Sequence, residues 1–367
     1  MTKVYIAGCA IESINRHYDK GLLDLAINSV KRINENINYS LNPDAIVIAN
    51  GYAELTNRVS ELSTKLSMAL GYYVPSFRVE NGDASGGLGI LTAFSLIKSG
   101  IAKEVLLIGV EKLSDFPSKY LNDIISTIMN EYEYFSGITP QSIAAIMMKL
   151  YMKLYKKDYE YFTEWPILMH SYAIENPYAY LKFTVDKKTI IESQLVSEPL
   201  RIFDVGARAD GVASVLLVSE ERKQISDRIV ELKKVIGSTR EIDWNKLELL
   251  SLREIKSKIE EELRKTDLLE IHDSYSILAA LQLESLGLVE KGKAFEKLSE
   301  IPALNYSGGL KARGYPGGAT GVYQLAEVYL QLTSMFPGKK VKDAKAGIIV
   351  SMDDIGRSSY ISVLEVI

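Results

Sequence analysis

Cysteine is all but missing from this chain: among 367 residues there is Cys9 alone, set inside the apolar run VYIAGCAI. That excludes a disulfide framework and a thiolate metal centre. Three histidines, His17, His170 and His272, leave little material for a histidine-based metal site. Basic blocks are absent too: 43 Lys and Arg stand against 47 Asp and Glu, a net charge of −4. Aromatics are not interleaved with the cations, and nothing points to nucleic-acid binding. No apolar run approaches the length of a membrane span, and the opening residues run into a strand without a charged-then-apolar leader. The expectation is a cytoplasmic protein with no membrane or nucleic-acid partner. A composition 47% hydrophobic and 25% charged gives ample core for one or two globular domains.

What is present is alternation. Strand-like KVYIAGCAI, DAIVIANGY, SFRVEN and EVLLIGVEKLS are separated by GLLDLAINSVKRINENI, NRVSELSTKLSMALGY and residues 84–99, which read as helices. Short strands of continuous apolar character suit a sheet covered on both faces, so the pattern is α/β and doubly wound. Residues 115–195, rich in Tyr, Met and Lys, break the alternation and read as a helical insertion. A second round follows DGVASVLLVSEE: VELKKVIGS as strand, residues 251–265 as helix, DLLEIHDS as strand and SILAALQLESLGLV as helix. AGIIVSM and SSYISVLEVI close it as neighbouring strands. The element order predicts two similar halves, residues 1–225 and 226–367, with the insertion in the first.

RVENGDASGGLGILTAF, residues 78–94, carries the chemical question. A strand ends in a polar turn and a small-residue stretch opens a helix. Unsatisfied N–H groups and the positive dipole end make such a helix start a favourable place for a thiolate. Here the position holds Asp83. Asp is a good N-cap and its charge suits the dipole; the other roles open to it are a base or a polar orienter. Ser85 could serve as a nucleophile only beside a base.

Several stretches together resemble the thiolase superfamily, closest to its sterol-carrier-protein type and archaeal acetyl-CoA acetyltransferases. They are ENGDASGG, VLLIGVEKLSD, GITPQSIA, NPYAY, EPLRIFDVGARADGVASVLL, LLEIHDSYSILAALQLESLGLVEKGKA, NYSGGLKARGYPGGATGVYQLAE and GIIVSMDDIGRSSYISVLEV. Their order and spacing carry the resemblance over essentially the whole chain. It implies a thiolase fold: two stacked βαβαβαββ-type halves in five layers, α-β-α-β-α, with a CoA-thioester site between them.

The resemblance also implies a departure. Where the family reads C-A-S-G this chain reads Asp83-Ala84-Ser85-Gly86, and where it reads G-H-P this chain has Tyr315. A carboxylate would form a mixed anhydride, so acyl transfer through Asp83 is chemically poor. Tyr315 is either a hydrogen-bond donor or base, or a ring filling a vacated place. His272 matches the family's oxyanion-hole histidine, and the catalytic candidates are therefore Asp83, His272 and Tyr315, with Tyr275 an alternative base. Ser351-Met352-Asp353-Asp354 occupies the loop that brings the family a second cysteine or a histidine. Asn305, Ser307, Gly308, Gly309, Gly317 and Gly318 match the close-approach turns that would meet a pantetheine arm, or they serve folding alone.

Three functions follow. The first is a CoA-thioester protein with altered carbon–carbon chemistry, such as the retro-aldol cleavage of thiolase-like aldolases that lack the cysteine. The second is a non-catalytic subunit of a thiolase-type complex. The third is ordinary acetyl-CoA acetyltransferase activity, with which Asp83 fits least. No covalently bound cofactor and no metal are expected, and CoA thioester is the ligand. The expected assembly is a homodimer, or a hetero-oligomer with another thiolase-type chain or a small zinc-ribbon/OB-fold protein.

Overall fold

The computed structural model describes residues 2–37 and 39–367. Ten strands form its main sheet: β1 (Val4–Ile11), β2 (Ala45–Ala49), β3 (Ser76–Val79), β4 (Glu104–Glu111), β5 (Gly211–Ser219), β6 (Val230–Thr239), β7 (Leu268–Glu270), β8 (Ala303–Leu304), β9 (Ala346–Met352) and β10 (Ser358–Val366). Their spatial order is β8-β7-β9-β10-β6-β1-β5-β4-β2-β3. Cut between β6 and β1, the two sets of five have the same order, third-second-fourth-fifth-first. The pairing types match as well. The fifth strand is antiparallel to both the first and the fourth, and the fourth, second and third run parallel, in each set. A short ladder, Tyr5 with Glu231 and Ile6 with Val230, joins them.

Alternation along the strands explains the layers. In β4, Val105 and Leu107 face one core while Leu106 and Ile108 face another, so both faces need cover. The outer face of the first half is covered by α1 (Leu22–Ile37) and α2 (Leu62–Leu70), through Leu25, Val30, Ile33, Leu62 and Leu66. Between the halves lie α3 (Ser85–Lys98) and α5 (Thr320–Leu332), sharing one core with both sets of strands. On the far side, α4 (Ser276–Ser285) packs with insertion residues Met147, Tyr151 and Trp165. The result is the five-layer arrangement. α3 and α5 approach so closely that a Cβ on Gly86 would sit 2.4 Å from the Gly321 nitrogen.

The insertion is helical, with main segments at Ser118–Ser126, Pro140–Tyr155 and Glu164–Ala173, and ends in a small hairpin of Leu195–Ser197 and Leu200–Arg201. The helix predicted over residues 251–265 is instead two short ones, Leu250–Lys256 and Glu260–Lys265. None of the helices is long and apolar enough to cross a membrane among the described residues.

Candidate functional site

Asp83 lies in the turn between β3 and α3, and it does not cap the helix. Ala84 is the N-cap residue and no side chain caps there; Ser85 closes the turn, accepting from the Asn81 N–H and donating to the Gly82 carbonyl. The Asp83 carboxylate is held instead by buried partners of its own half. Arg208 grips it with two bonds, Nη1 to Oδ1 at 3.1 Å and Nη2 to Oδ2 at 3.0 Å, and the Tyr52 hydroxyl donates to Oδ2 at 3.2 Å. The capping expectation fails because a bidentate guanidinium is a stronger partner than a backbone N–H already served by a serine turn.

Arg208 stands just before β5 and also binds Asp354, which stands just before β10. One cation thus holds two buried carboxylates, and Arg208 and Asp354 themselves lie on the matching fourth-to-fifth-strand connections of the two sets. Tyr315, in the turn leading to α5, donates to Asp354 Oδ1 at 2.5 Å, and its ring lies under the Arg208 guanidinium at 4.3 Å. His272 Nε2 is 3.2 Å from the same phenol oxygen. Because the phenol donates to Asp354, the nitrogen facing it serves as donor in the neutral tautomer with hydrogen on Nε2. His272 is fixed from behind: its N–H donates to Gln282 Oε1 and its carbonyl accepts from Gln282 Nε2. Asp83, His272 and Tyr315, predicted separately, therefore belong to one cluster, and all are at most 1% exposed.

Burial governs the protonation states. It would raise Asp83, but the charge and hydrogen bonds of Arg208 outweigh it and hold this carboxyl below its ordinary range. Asp354 comes out the other way: burial lifts it to about 7, with Arg208 only partly opposing. Burial pushes His272 down to about 3 and Tyr315 well above a free phenol. At neutral pH the cluster is an ionised Asp83–Arg208 pair beside a neutral histidine, a neutral phenol and a carboxyl poised to gain or lose a proton.

Glu111 closes the site from behind. It accepts from the backbone of Gly51 at 2.8 Å, Tyr52 at 3.2 Å and Gly318 at 3.1 Å, and from Asn50 Nδ2 at 2.9 Å. Burial raises it to about 8. Gly317 and Gly318 lie against Glu111, Asp83 and Gly51; a Cβ on Gly318 would fall 2.6 Å from the Gly51 nitrogen. Asn305 and Ser307 turn inward, Asn305 to Asp273 and to both backbone groups of Ile271, and Ser307 to Glu270. Gly308 and Gly309 have positive φ and face Ala173 and Asp273. None of these six predicted ligand-binding residues borders the large cleft described next.

That cleft, about 990 Å³, lies between the insertion and the loops on either side of it, with Lys311 contributed by the second half, and reaches the cluster at Arg208. Gly206, Ala207 and Arg208 line its inner end, Lys311 a wall, and Phe116, Phe183 and Phe203 further surfaces. Lys311 donates to the carbonyls of Ile202 and Val205, and burial lowers it to about 8. The cleft stops at Arg208, whose side chain is 12% exposed and screens the phenol. Sequence reading missed Arg208 and Tyr52. The available signal was an arginine in the small-residue stretch VGARADGVA, directly before a wholly buried strand, where a cation needs a carboxylate partner.

Duplicated α/β halves, two central helices that meet near their starts at Gly86 and Gly321 and a cleft walled by the first half's insertion define a protein of the thiolase fold. The family model for the thiolase C-terminal domain-like region matches residues 258–366. The acetyl-CoA acetyltransferase of Methanocaldococcus jannaschii is 32% identical over 317 residues, covering 79% of this chain and 80% of that protein. Among solved structures, an Ltp2-ChsH2(DUF35) aldolase superposes with a TM-score of 0.81 at 17% identity, covering 98% of this chain and 97% of its own. The Acat5 thiolase of Ascaris suum in complex with coenzyme A superposes with a TM-score of 0.78 at 15% identity and full coverage of both. The chain belongs to the thiolase superfamily, within its acyl-CoA acyltransferase-like branch.

Proposed function

We propose that this protein binds a CoA thioester in the cleft that ends at Arg208 and cleaves or forms a carbon–carbon bond by retro-aldol chemistry, with no acyl-enzyme. The observation that carries the reading is the Tyr315 hydroxyl held between Asp354 Oδ1 at 2.5 Å and His272 Nε2 at 3.2 Å. In this reading Asp83 occupies the family's cysteine position and has no nucleophilic task; with Arg208 it sets the field around the relay. A β-hydroxyacyl-CoA would give its hydroxyl proton to Tyr315 as Tyr315 passes its own to Asp354. The Cα–Cβ bond then breaks, its electrons move onto the thioester oxygen, and a carbonyl product leaves. The proton held by Asp354 returns through Tyr315 to Cα. His272 Nε2–H steadies the phenol oxygen as it gains charge, and Arg208, swung off the ring, meets the enolate oxygen. One structural neighbour, the Ltp2-ChsH2(DUF35) protein, is an aldolase by name, which fits this chemistry.

We further propose that residues 1–225 and 226–367 are the two halves, which the matched strand orders support. A homodimer, or a complex with a thiolase-type or zinc-ribbon/OB-fold chain, is the proposed assembly. The subunit of benzoylsuccinyl-CoA thiolase, 24% identical over 93% of this chain, is itself part of a complex by its name.

A second reading, a non-catalytic subunit, is favoured by the burial of Asp83, His272 and Tyr315 behind Arg208. One experiment separates the two: calorimetric titration with a β-hydroxyacyl-CoA, followed by assay for the carbonyl product. Binding with turnover that Tyr315→Phe abolishes supports the lyase. Binding without turnover, alone and with co-purified partners, supports the subunit.

A further inference from the structure

A thioester reacting at Arg208 has its reactive carbon mid-molecule, with pantetheine on one side and the acyl group on the other. The cleft that borders Arg208 has to receive both. Its volume of about 990 Å³ is at the top of the range of roughly 300–1,000 Å³ in which pockets enclose drug-sized ligands. An acetyl group would leave much of it filled by water. The outer wall is apolar where a soluble surface has no need to be: Phe183, Leu195, Val196 and Ile202 line the cleft and remain 41–49% exposed, with Phe203 beside them. Leu195 and Val196 belong to the hairpin that closes the insertion. A contiguous apolar wall left open next to a polar reaction floor is the signature of a ligand site whose occupant supplies the missing cover.

We infer that the acyl group of the substrate is bulky and apolar, a medium or long alkyl chain or an aromatic acid, and that the 183, 195–196 and 202–203 surface holds it. This rests on the CoA-thioester reading above.

The test is calorimetric titration of the full chain with CoA, acetyl-CoA, decanoyl-CoA and benzoyl-CoA, repeated with Val196→Asp. Decanoyl- and benzoyl-CoA should bind at least about tenfold more tightly than acetyl-CoA, the factor that burial of some two methylene groups yields. Val196→Asp, on an exposed hairpin, should erase that gain while leaving the affinity for CoA itself unchanged. Equal affinity for acetyl-CoA and decanoyl-CoA, with CoA bound, overturns the inference alone. A Val196→Asp variant that weakens all four ligands alike also overturns it. Failure of CoA and every thioester to bind overturns the CoA-thioester reading, and this inference with it.

Discussion

At the scale of single residues, the cluster around Arg208 makes three outcomes measurable. Removing the cation with Arg208→Met strands Asp83 and Asp354, both buried, without a charge partner. Breaking a buried pair from one side costs about 3–5 kcal/mol, so the denaturant midpoint should drop far more than for a surface arginine such as Arg253. Adding Asp83→Asn to that variant should recover part of the loss. The second outcome concerns acyl transfer: on the reading proposed above, the wild-type chain should not thiolyse acetoacetyl-CoA, and Asp83→Cys should not create the activity, because that reading gives Tyr315 the place of the histidine that would activate a cysteine. Turnover within the ordinary range of about 1–10³ per second would contradict that assignment. Tyr315→Phe should lose lyase turnover, hold acyl-CoA affinity within a few-fold, and cost about 1 kcal/mol of stability for the missing hydrogen bond.

At the scale of elements, α3 and α5 cross at Gly86 and Gly321, where backbone meets backbone. Gly86→Ala would drive a methyl into the Gly321 nitrogen and Cα, 2.4 and 2.6 Å away, and neither can move as a side chain can. A loss of about 1–3 kcal/mol or more is expected by thermal denaturation, with the lyase assay falling too, since this crossing sets the distance between Asp83 and Tyr315. This element order was legible in the sequence because strand and helix periods differ and the apolar runs are short and separated. The junctions were less so. Residues 251–265 carry one amphipathic pattern, yet Lys256 to Ile259 form a turn that buries Ile259 between two helices. The candidate site was legible as residue types: Asp83, His272 and Tyr315 do converge. Their partners were not, because Arg208 and Tyr52 lie 125 and 31 residues from Asp83 and only the folded topology brings them together.

At the scale of the whole molecule, buried carboxyls set the pH response. Glu111 and Glu270 are raised by burial to about 8, and Asp354 and Glu327 to about 7. Their folded values lie above their unfolded ones, so the fold takes up protons; the associated stability is complete in acid and is lost as pH rises through 7 to 8. His272 and His170, lowered to about 3 and 4, act in the opposite sense, but only below the unfolded value near 6.5. From pH 6.5 to 7.5 the four carboxyls outweigh the one opposing group, Lys311, lowered to about 8, and the urea midpoint should fall across that interval; a flat or rising midpoint would refute the protonated carboxyls. Assembly is the other property at this scale. β3 ends the sheet, and Phe77 on it and Tyr73 before it are exposed, so light scattering at micromolar concentration should report a dimer or larger. The two matched sets of strands differ most in one connection: residues 112–210 join β4 to β5, whereas residues 353–357 join β9 to β10. Arg208 and Asp354 sit at the anchored ends of these equivalent links, and the hairpin and helices that wall the cleft lie further out along the longer one. On the proposed function, substrate choice and bond chemistry are written on separate stretches of chain. A lineage, or an engineer, can exchange the outer stretch and so change what is recognised while inheriting the reacting groups intact.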